Sequence, residues 1–336
     1  MTTPQHNTDI YLFSPASAIG PEADIALGRE RLAAQGFPTT LDASALAVHQ
    51  RFAGTDAERL QAIARAIAQP APIVMATRGG YGLTRLLPHI DWRAVADSDK
   101  RFVGLSDFTA FNLALLAQTG AESFTGPTLV ADFCQPEVDD LTDALFGEAM
   151  RDELEILSFE SEDADPVDCR GTLWGGNLAV LTALIGTPYM PSIGGGILFL
   201  EDVGEHPYRI ERMLIQLWQA GILQRQKAIV LGQFTQYRLA PHDRGYDLSE
   251  VIAWLRREVK VPVLTGLPYG HVPTKATLPI GRKVGLASEP GMVHLVLIEH
   301  THDHAHPHNH GAEGHDPHHH DDHAHCGPEC GHTASS

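Results

Sequence analysis

A serine delivered by an apolar strand into a sharp turn is a candidate nucleophile, and Arg101-Phe-Val-Gly-Leu-Ser-Asp-Phe-Thr-Ala110 has that form. Ser106 follows the apolar run and precedes the helix-like segment Phe108 to Ala117. In strand-turn-helix elbows the hydroxyl stands above the carboxyl edge of a sheet, and the new helix aims its free N–H groups at the same point. Phe108 occupies the place of the second glycine of G-x-S-x-G, so the usual hydrolase elbow is not matched. A serine before a helix is also the ordinary N-cap, and on this stretch alone both readings stand.

A nucleophilic serine needs a base, and the base needs a group that fixes its tautomer. His271 ends the strand-like run Val261-Pro-Val-Leu-Thr-Gly-Leu-Pro-Tyr-Gly-His271, where Gly270 lets the backbone bend and turn the ring into a cleft. A surface-turn histidine fits the same pattern. Glu201 closes the apolar strand Ile197-Leu-Phe-Leu-Glu-Asp202, where a carboxylate is either buried against a partner or solvated at the strand end. Asp202, Glu205 and His206 lie nearby and compete for the role.

The elements that must position these residues fall into two groups. Asp9 to Phe13 is a strand, Pro21 to Gln35 an amphipathic helix, and Thr55-Asp-Ala-Glu58 a capping box opening a second helix. Pro72 to Thr77 is a buried strand that runs into Arg78-Gly-Gly-Tyr-Gly82 and the helical run Leu83 to Leu87, a setting for close backbone approach to an anion. With the Ser106 strand next, strand and helix alternate as in a parallel sheet, and sites in such sheets form outside the carboxyl ends of the strands. The turns at Gly79-Gly80 and Ser106 then share one edge.

From about Glu137 the sequence becomes acidic, read as a surface helix and then a linker. The expected division is an N-terminal α/β domain over 1–150, a linker over 151–168 and a second domain over 169–299. The second domain begins near Cys169-Arg-Gly-Thr-Leu-Trp-Gly-Gly-Asn-Leu178 and has many short strands and two clear helices, Leu178 to Ile185 and Pro207 to Ala220. Lys283 to Ile298 reads as a hairpin, and the whole domain as a smaller, β-rich, barrel-like α/β unit.

The chain has 336 residues with a formal charge of −18, of which the last 37 residues supply six acids and no Lys or Arg. The remaining charge of about −12 argues against nucleic acid or an anionic membrane as partner. The N-terminus lacks a basic n-region and no apolar run is long enough to span a bilayer, so a cytoplasmic location is expected. Of four cysteines, Cys134 and Cys169 are well separated in the body and Cys326 and Cys330 lie in the tail, which argues against a disulfide framework.

From Leu12 to about Gly285 the chain resembles the LD-carboxypeptidases of murein recycling, a serine peptidase family. The resemblance rests on Arg51-Phe-Ala-Gly-Thr-Asp-Ala-Glu-Arg-Leu60, Arg78 to Gly82, Gly104-Leu-Ser-Asp-Phe-Thr109, Gly171-Thr-Leu-Trp-Gly-Gly-Asn-Leu178, Glu201-Asp-Val-Gly-Glu-His-Pro-Tyr-Arg209 and Gly266-Leu-Pro-Tyr-Gly-His271. It implies a flavodoxin-like parallel-sheet domain followed by the β-rich domain, with the active site between them. The catalytic positions it implies are Ser106 as nucleophile, Glu201 as carboxylate and His271 as base. The oxyanion donors would be backbone N–H groups of Asp107, Gly79 and Gly80.

The implied substrate is a murein tetrapeptide or muropeptide, cut between meso-diaminopimelate and the terminal D-Ala, with no cofactor for catalysis. Arg78, Asn177, Trp174 and Glu205 are the expected substrate contacts, and a homodimer is implied. Two alternatives stand beside this reading: a microcin-type self-immunity hydrolase of peptidyl-nucleotide amides, and a metal-buffering protein acting through its tail.

That tail, residues 300–336, holds thirteen histidines and reads as disordered. His302, His304, His306, His308, His310, His318, His319, His320, Cys326 and Cys330 suit weak binding of Ni²⁺, Zn²⁺ or Cu²⁺. The Cys326-Gly-Pro-Glu-Cys330 spacing is one residue longer than C-x₂-C, which disfavours a closed zinc site.

Overall fold

Alternating apolar strands and helices build the first half of the molecule. The structure, a computed structural model, describes residues 7–162 and 164–297; the tail and all its metal-ligand candidates lie outside the described residues. The chain runs β1 (Ile10–Phe13), α1 (Ile25–Ala34), β2 (Thr39–Leu41), α2 (Asp56–Ala68), β3 (Ile73–Ala76), α3 (Trp92–Asp97), β4 (Arg101–Gly104), α4 (Thr109–Thr119) and β5 (Ser123–Thr125). β1 and β3 are buried at every residue, as strands covered on both faces must be. Helix α2 opens with the expected capping box: Thr55 N–H donates to Glu58 (2.7 Å), and Glu58 N–H donates to the Thr55 hydroxyl (3.3 Å).

The second half runs α5 (Asp140–Met150), β6 (Ile156–Ser161), β7 (Asp168–Asn177), α6 (Leu178–Ala183), β8 (Ile197–Val203), α7 (Pro207–Gln219), β9 (Ala228–Thr235), α8 (Leu248–Glu258), β10 (Val263–Leu264), β11 (Leu278–Ile280), β12 (Lys283–Glu289) and β13 (Gly291–Val296). Two mixed sheets result, with strand orders β11-β5-β4-β3-β1-β2 and β10-β9-β8-β7-β12-β13-β6. In the first sheet every pairing among β1 to β5 is parallel, and only β11 is antiparallel. In the second, β7 to β10 are parallel and β12, β13 and β6 antiparallel.

The two edges of the second sheet curl towards each other. Thr265 N–H, just past β10, donates to Ser161 Oγ at the end of β6 (3.3 Å), and Val263 N–H donates to Asp165 (2.8 Å). This produces the barrel-like form.

Several elements differ from expectation. Residues 151–168 were expected as linker, yet Ile156–Ser161 alternates exposed and buried residues as β6 and pairs along β13. β11 returns to the first sheet, with Leu278 opposite Thr125, so residues late in the chain complete the sheet that carries Ser106. The run Leu83 to Leu87 forms two 3₁₀ turns, the second holding Pro88, whose missing N–H cannot extend a helix. α8 adds a third helix to residues 169–299, beside α6 and α7; Asp247 caps it, and Val251 and Leu255 fill its buried face. Among the described residues no helix is long and apolar enough to cross a membrane.

Candidate active site

β4 ends at Gly104, Leu105 stays extended, and Ser106 then turns to φ 67°. For a residue with a Cβ that left-handed backbone costs about 1–3 kcal/mol and persists only where the surroundings impose it. Neither the 3₁₀ turn Ser106–Phe108 nor α4 takes a side-chain cap, which removes the N-cap reading of Ser106. The constraint comes from Phe108. Its fully buried ring stacks on Phe111 (4.8 Å) and meets Phe13 edge-on (6.2 Å). Gly104 makes room for it, since a Cβ there would lie 2.5 Å from the Phe108 ring. The departure from G-x-S-x-G is thus an aromatic anchor that pins the turn into the core.

The glycine turn after β3 lies against this serine. A Cβ on Gly79 would sit 2.7 Å from both Leu105 O and Ser106 Cβ, and 3.2 Å from Ser106 Oγ. Gly80 has φ 104°. The turn is held from outside by three side chains whose part in it the sequence did not show. Ser17 Oγ accepts from Tyr81 N–H (3.0 Å); buried Arg59 donates to Gly82 O (3.1 Å); the buried Asp107 carboxylate accepts from Leu83 N–H (2.9 Å). Burial lifts the Asp107 pKa to about 6, with the Leu83 N–H and the Arg59 charge pulling it back.

Glu201 and Asp202 stand side by side near the end of β8, and both are buried although neighbours on a strand normally face opposite sides. β8 is covered on both faces, buried at every residue from Ile197 to Asp202, and its register against β9 shifts between Leu200 and Asp202. Glu201, with no exposed surface, accepts through Oε2 from His271 Nδ1 (2.8 Å) and through Oε1 from Asn177 Nδ2 (3.1 Å). Asp202 accepts from Asn177 Nδ2 (3.0 Å) and from Ala179 N–H (2.9 Å), and burial raises its pKa to about 6. Gly270 at φ 138° is required beside them, because a Cβ would come within 3.2 Å of Glu201 Oε2 and 3.0 Å of Gln233 O. With Nδ1 committed to Glu201, Nε2 is the ring nitrogen available for proton transfer.

Two ties hold the serine turn and the Glu201–His271 pair in register. Buried Tyr269 reaches the first sheet, where its hydroxyl meets Thr125 Oγ1 (2.6 Å); Thr125 donates in turn to Gly104 O (3.0 Å) at the end of the Ser106 strand. Thr109, three residues after Ser106, accepts from Asn177 N–H (3.1 Å), and Asn177 holds Glu201. The order of these residues along the sequence gives no sign of either contact.

The expected substrate contacts divide. Trp174 is fully buried and donates its indole N–H to Gln226 (2.9 Å), and Asn177 is 4% exposed with its amide spent on Glu201 and Asp202, so both position the site from within. Arg78 donates to Ala18 O (3.0 Å) and Glu205 pairs with Arg209. His206 caps α7 and bonds Asp243 (3.0 Å), away from the Glu201 pair.

A cavity of about 480 Å³ opens at this site, with Leu105, Asp132, Gln236, His271 and Lys275 among its walls. Asp132, in the π-helical turn Leu129–Phe133, forms a buried ion pair with Lys275. Burial pushes the Asp132 carboxyl up, while Lys275 and, more weakly, His271 draw it down. Sequence reading passed over this pair as well. Its signal was Lys275, four residues past His271 in an otherwise uncharged run. Among the described residues no group of three or more His, Cys, Asp or Glu converges to hold a metal ion.

A backbone-strained serine at a parallel-strand end, and an imidazole that is held by a buried carboxylate on the wall of a cavity reaching the residue before that serine, are components suited to hydrolytic chemistry. The chain belongs to the LD-carboxypeptidase family: residues 10–126 match the model of the LD-carboxypeptidase N-terminal domain and residues 170–286 that of the C-terminal domain. It is 30% identical to the murein tetrapeptide carboxypeptidase of Pseudomonas aeruginosa over 283 residues, 81% of this chain and 91% of the relative. The crystal structure of muramoyltetrapeptide carboxypeptidase from Oxalobacter formigenes superimposes with a TM-score of 0.81 at 43% identity, covering 86% of this chain and 98% of that one. The microcin C7 self-immunity protein known from Escherichia coli, solved with glutamyl sulfamoyl guanosine, gives 0.78 at 25% identity, with 86% and 96% covered. The protein is a peptidase of this family, and its mixed α/β fold with two sheets is theirs.

Proposed function

We propose that this protein is a serine LD-carboxypeptidase that removes the terminal D-Ala from murein tetrapeptides during peptidoglycan recycling in the cytoplasm, acting as a homodimer. The observation that carries the reading is the 2.8 Å Nδ1–Oε2 contact between His271 and Glu201, on the wall of a cavity that also reaches Leu105, the residue before Ser106. His271 Nε2 takes the proton from Ser106 Oγ as the oxygen attacks the carbonyl carbon of the L-centre of diaminopimelate. Glu201 stabilises the imidazolium that forms.

The tetrahedral oxyanion is received by backbone N–H groups of Asp107 and the Gly79-Gly80 turn, and each such donor contributes about 3–4 kcal/mol in comparable sites. The closeness of Gly79 to Ser106 supports that assignment. His271 then protonates the departing D-Ala amine. Water, deprotonated by the same imidazole, cleaves the acyl-enzyme and releases the tripeptide.

Incubation with L-Ala-γ-D-Glu-meso-diaminopimelate-D-Ala, followed by mass spectrometry, tests the reading. Loss of one D-Ala is expected from the native protein and none from Ser106→Ala; cleavage by the Ser106→Ala variant would sink the serine mechanism. The self-immunity relative supports a second substrate class, aminoacyl sulfamoyl nucleosides. The 43% identity to the muramoyltetrapeptide enzyme favours the murein peptide. The segment after Glu299 is proposed as a separate, weak binder of Ni²⁺, Zn²⁺ or Cu²⁺. Truncation there should abolish metal binding and leave turnover unchanged.

A further inference from the structure

The Asp132–Lys275 pair is not used by the mechanism above, yet it lines the same cavity as His271. The Lys275 side chain is 4% exposed, a depth at which an ammonium is held only by pairing. Its pairing is incomplete. Of three N–H donors, one is met by Asp132 Oδ1, the ammonium's one hydrogen-bond partner among the described residues. The carboxylate is more fully engaged: Oδ1 takes the lysine and Oδ2 accepts from Thr128 N–H (2.8 Å). Spare capacity at this pair therefore lies with the cation, and what it lacks is an acceptor.

The pair is also built to stay where it is. Lys275 N–H donates to Thr142 Oγ1 (2.8 Å), Thr142 Oγ1 donates to Pro273 O (2.8 Å), and Asp132 sits in a π-helical turn, an irregularity common at functional sites. Two other carboxylates line the cavity. Asp139 spends its oxygens on Thr142 N–H (2.9 Å) and the Thr274 hydroxyl (2.7 Å), and Glu137 is exposed, where water screens it. Neither neutralises the ammonium.

We propose that Lys275, oriented by Asp132, receives the free carboxylate of the substrate's terminal residue. It would thereby restrict the enzyme to chain ends. The inference rests on the carboxypeptidase reading and adds to it the residue that makes the reaction an exopeptidase one. A charge-assisted hydrogen bond of this kind gives roughly 10- to 100-fold discrimination against a ligand that lacks the charge.

The test compares kcat/KM for the tetrapeptide with that for its C-terminal amide. The native protein should prefer the acid by that factor. The variant D132N/K275M removes both charges together, a change buried pairs often tolerate, and its circular dichroism and melting are checked against the native protein. In it the acid/amide ratio should collapse to near 1, through the KM of the acid, while Lys275→Arg keeps a preference for the acid. A folded D132N/K275M protein with the native ratio would overturn the assignment, as would a native protein that cleaves acid and amide equally well, a result needing no variant. Absence of D-Ala release from the native protein would instead remove the carboxypeptidase reading, and this assignment with it.

Discussion

Replacing Glu201 with Gln preserves shape and should nonetheless stop the reaction, because Asn177 dictates how the new amide is oriented. Asn177 Oδ1 accepts from Val180 N–H (3.1 Å), so its Nδ2 is the group facing Glu201 Oε1. A glutamine at 201 must place its oxygen towards that donor. Its NH₂ then faces His271 Nδ1, which has to accept, and the ring proton moves to Nε2, where it blocks uptake of the Ser106 proton. The reverse orientation restores the useful tautomer but sets two NH₂ groups against each other at a residue with no exposed surface. Each unsatisfied donor there costs about 1–3 kcal/mol.

The tautomer alone therefore accounts for a factor of roughly 10 to 100. Loss of the carboxylate that stabilises the imidazolium adds to it, and the total expected is roughly 10³- to 10⁴-fold in kcat, about 4–5.5 kcal/mol. KM should move by a few-fold only. D-Ala release from the tetrapeptide gives both constants, and a melting curve for Glu201→Gln confirms the fold. A loss smaller than tenfold in a natively folded variant would refute the assigned chain from Asn177 through Glu201 to His271.

Gly79→Ala places a Cβ 2.7 Å from Leu105 O and Ser106 Cβ and must displace the turn, so turnover should fall by roughly 100-fold, as when one oxyanion donor is moved out of reach, with the melting temperature as the control for misfolding. Tyr269→Phe leaves Thr125 its bond to Gly104 O and should cost about 1 kcal/mol by urea titration, with a lowered kcat and unchanged KM; native kcat would show that the tie does not position His271. Asp107, raised to about 6, favours its neutral form in the folded state. Its stabilisation is present below the unfolded value near 4 and is lost as pH rises through about 6, up to about 3 kcal/mol. Asp107→Asn should flatten that part of a urea-midpoint profile between pH 4 and 7, and parallel curves would rule the effect out.

What was legible in the sequence is what is local. The Thr55–Glu58 box, the β3 glycine turn and the strand into Ser106 are each specified by residues within a few positions of one another. Their structural forms follow from capping, φ freedom and apolar runs. The region around Glu201 shows why the rest was not. A carboxylate at a strand end is ordinarily solvated, and Glu201 and Asp202 are both buried because β8 lies between β7 and β9 with both faces covered, a feature set by its neighbours rather than by β8. Trp174 and Asn177 look like binding residues because they are polar-capable groups beside Gly175-Gly176. The glycines in fact let β7 pack closely: a Cβ on Gly176 would meet Thr109 Oγ1 at 2.6 Å, and Asn177 N–H then reaches the same oxygen.

Residues that join distant segments were missed as a class. Ser17 with Tyr81, Thr125 with Tyr269 and Asp132 with Lys275 are 64, 144 and 143 positions apart. Apart from Lys275, each is an unremarkable residue on its own side of the contact. The roles of the last two pairs follow from β11 crossing to the first sheet, which brings the segment from Tyr269 to Lys275 against the sheet that carries Ser106. That crossing lies in Leu278–Ile280, three residues whose composition would suit any buried strand, and the arrangement of the active site depends on which strand they pair with.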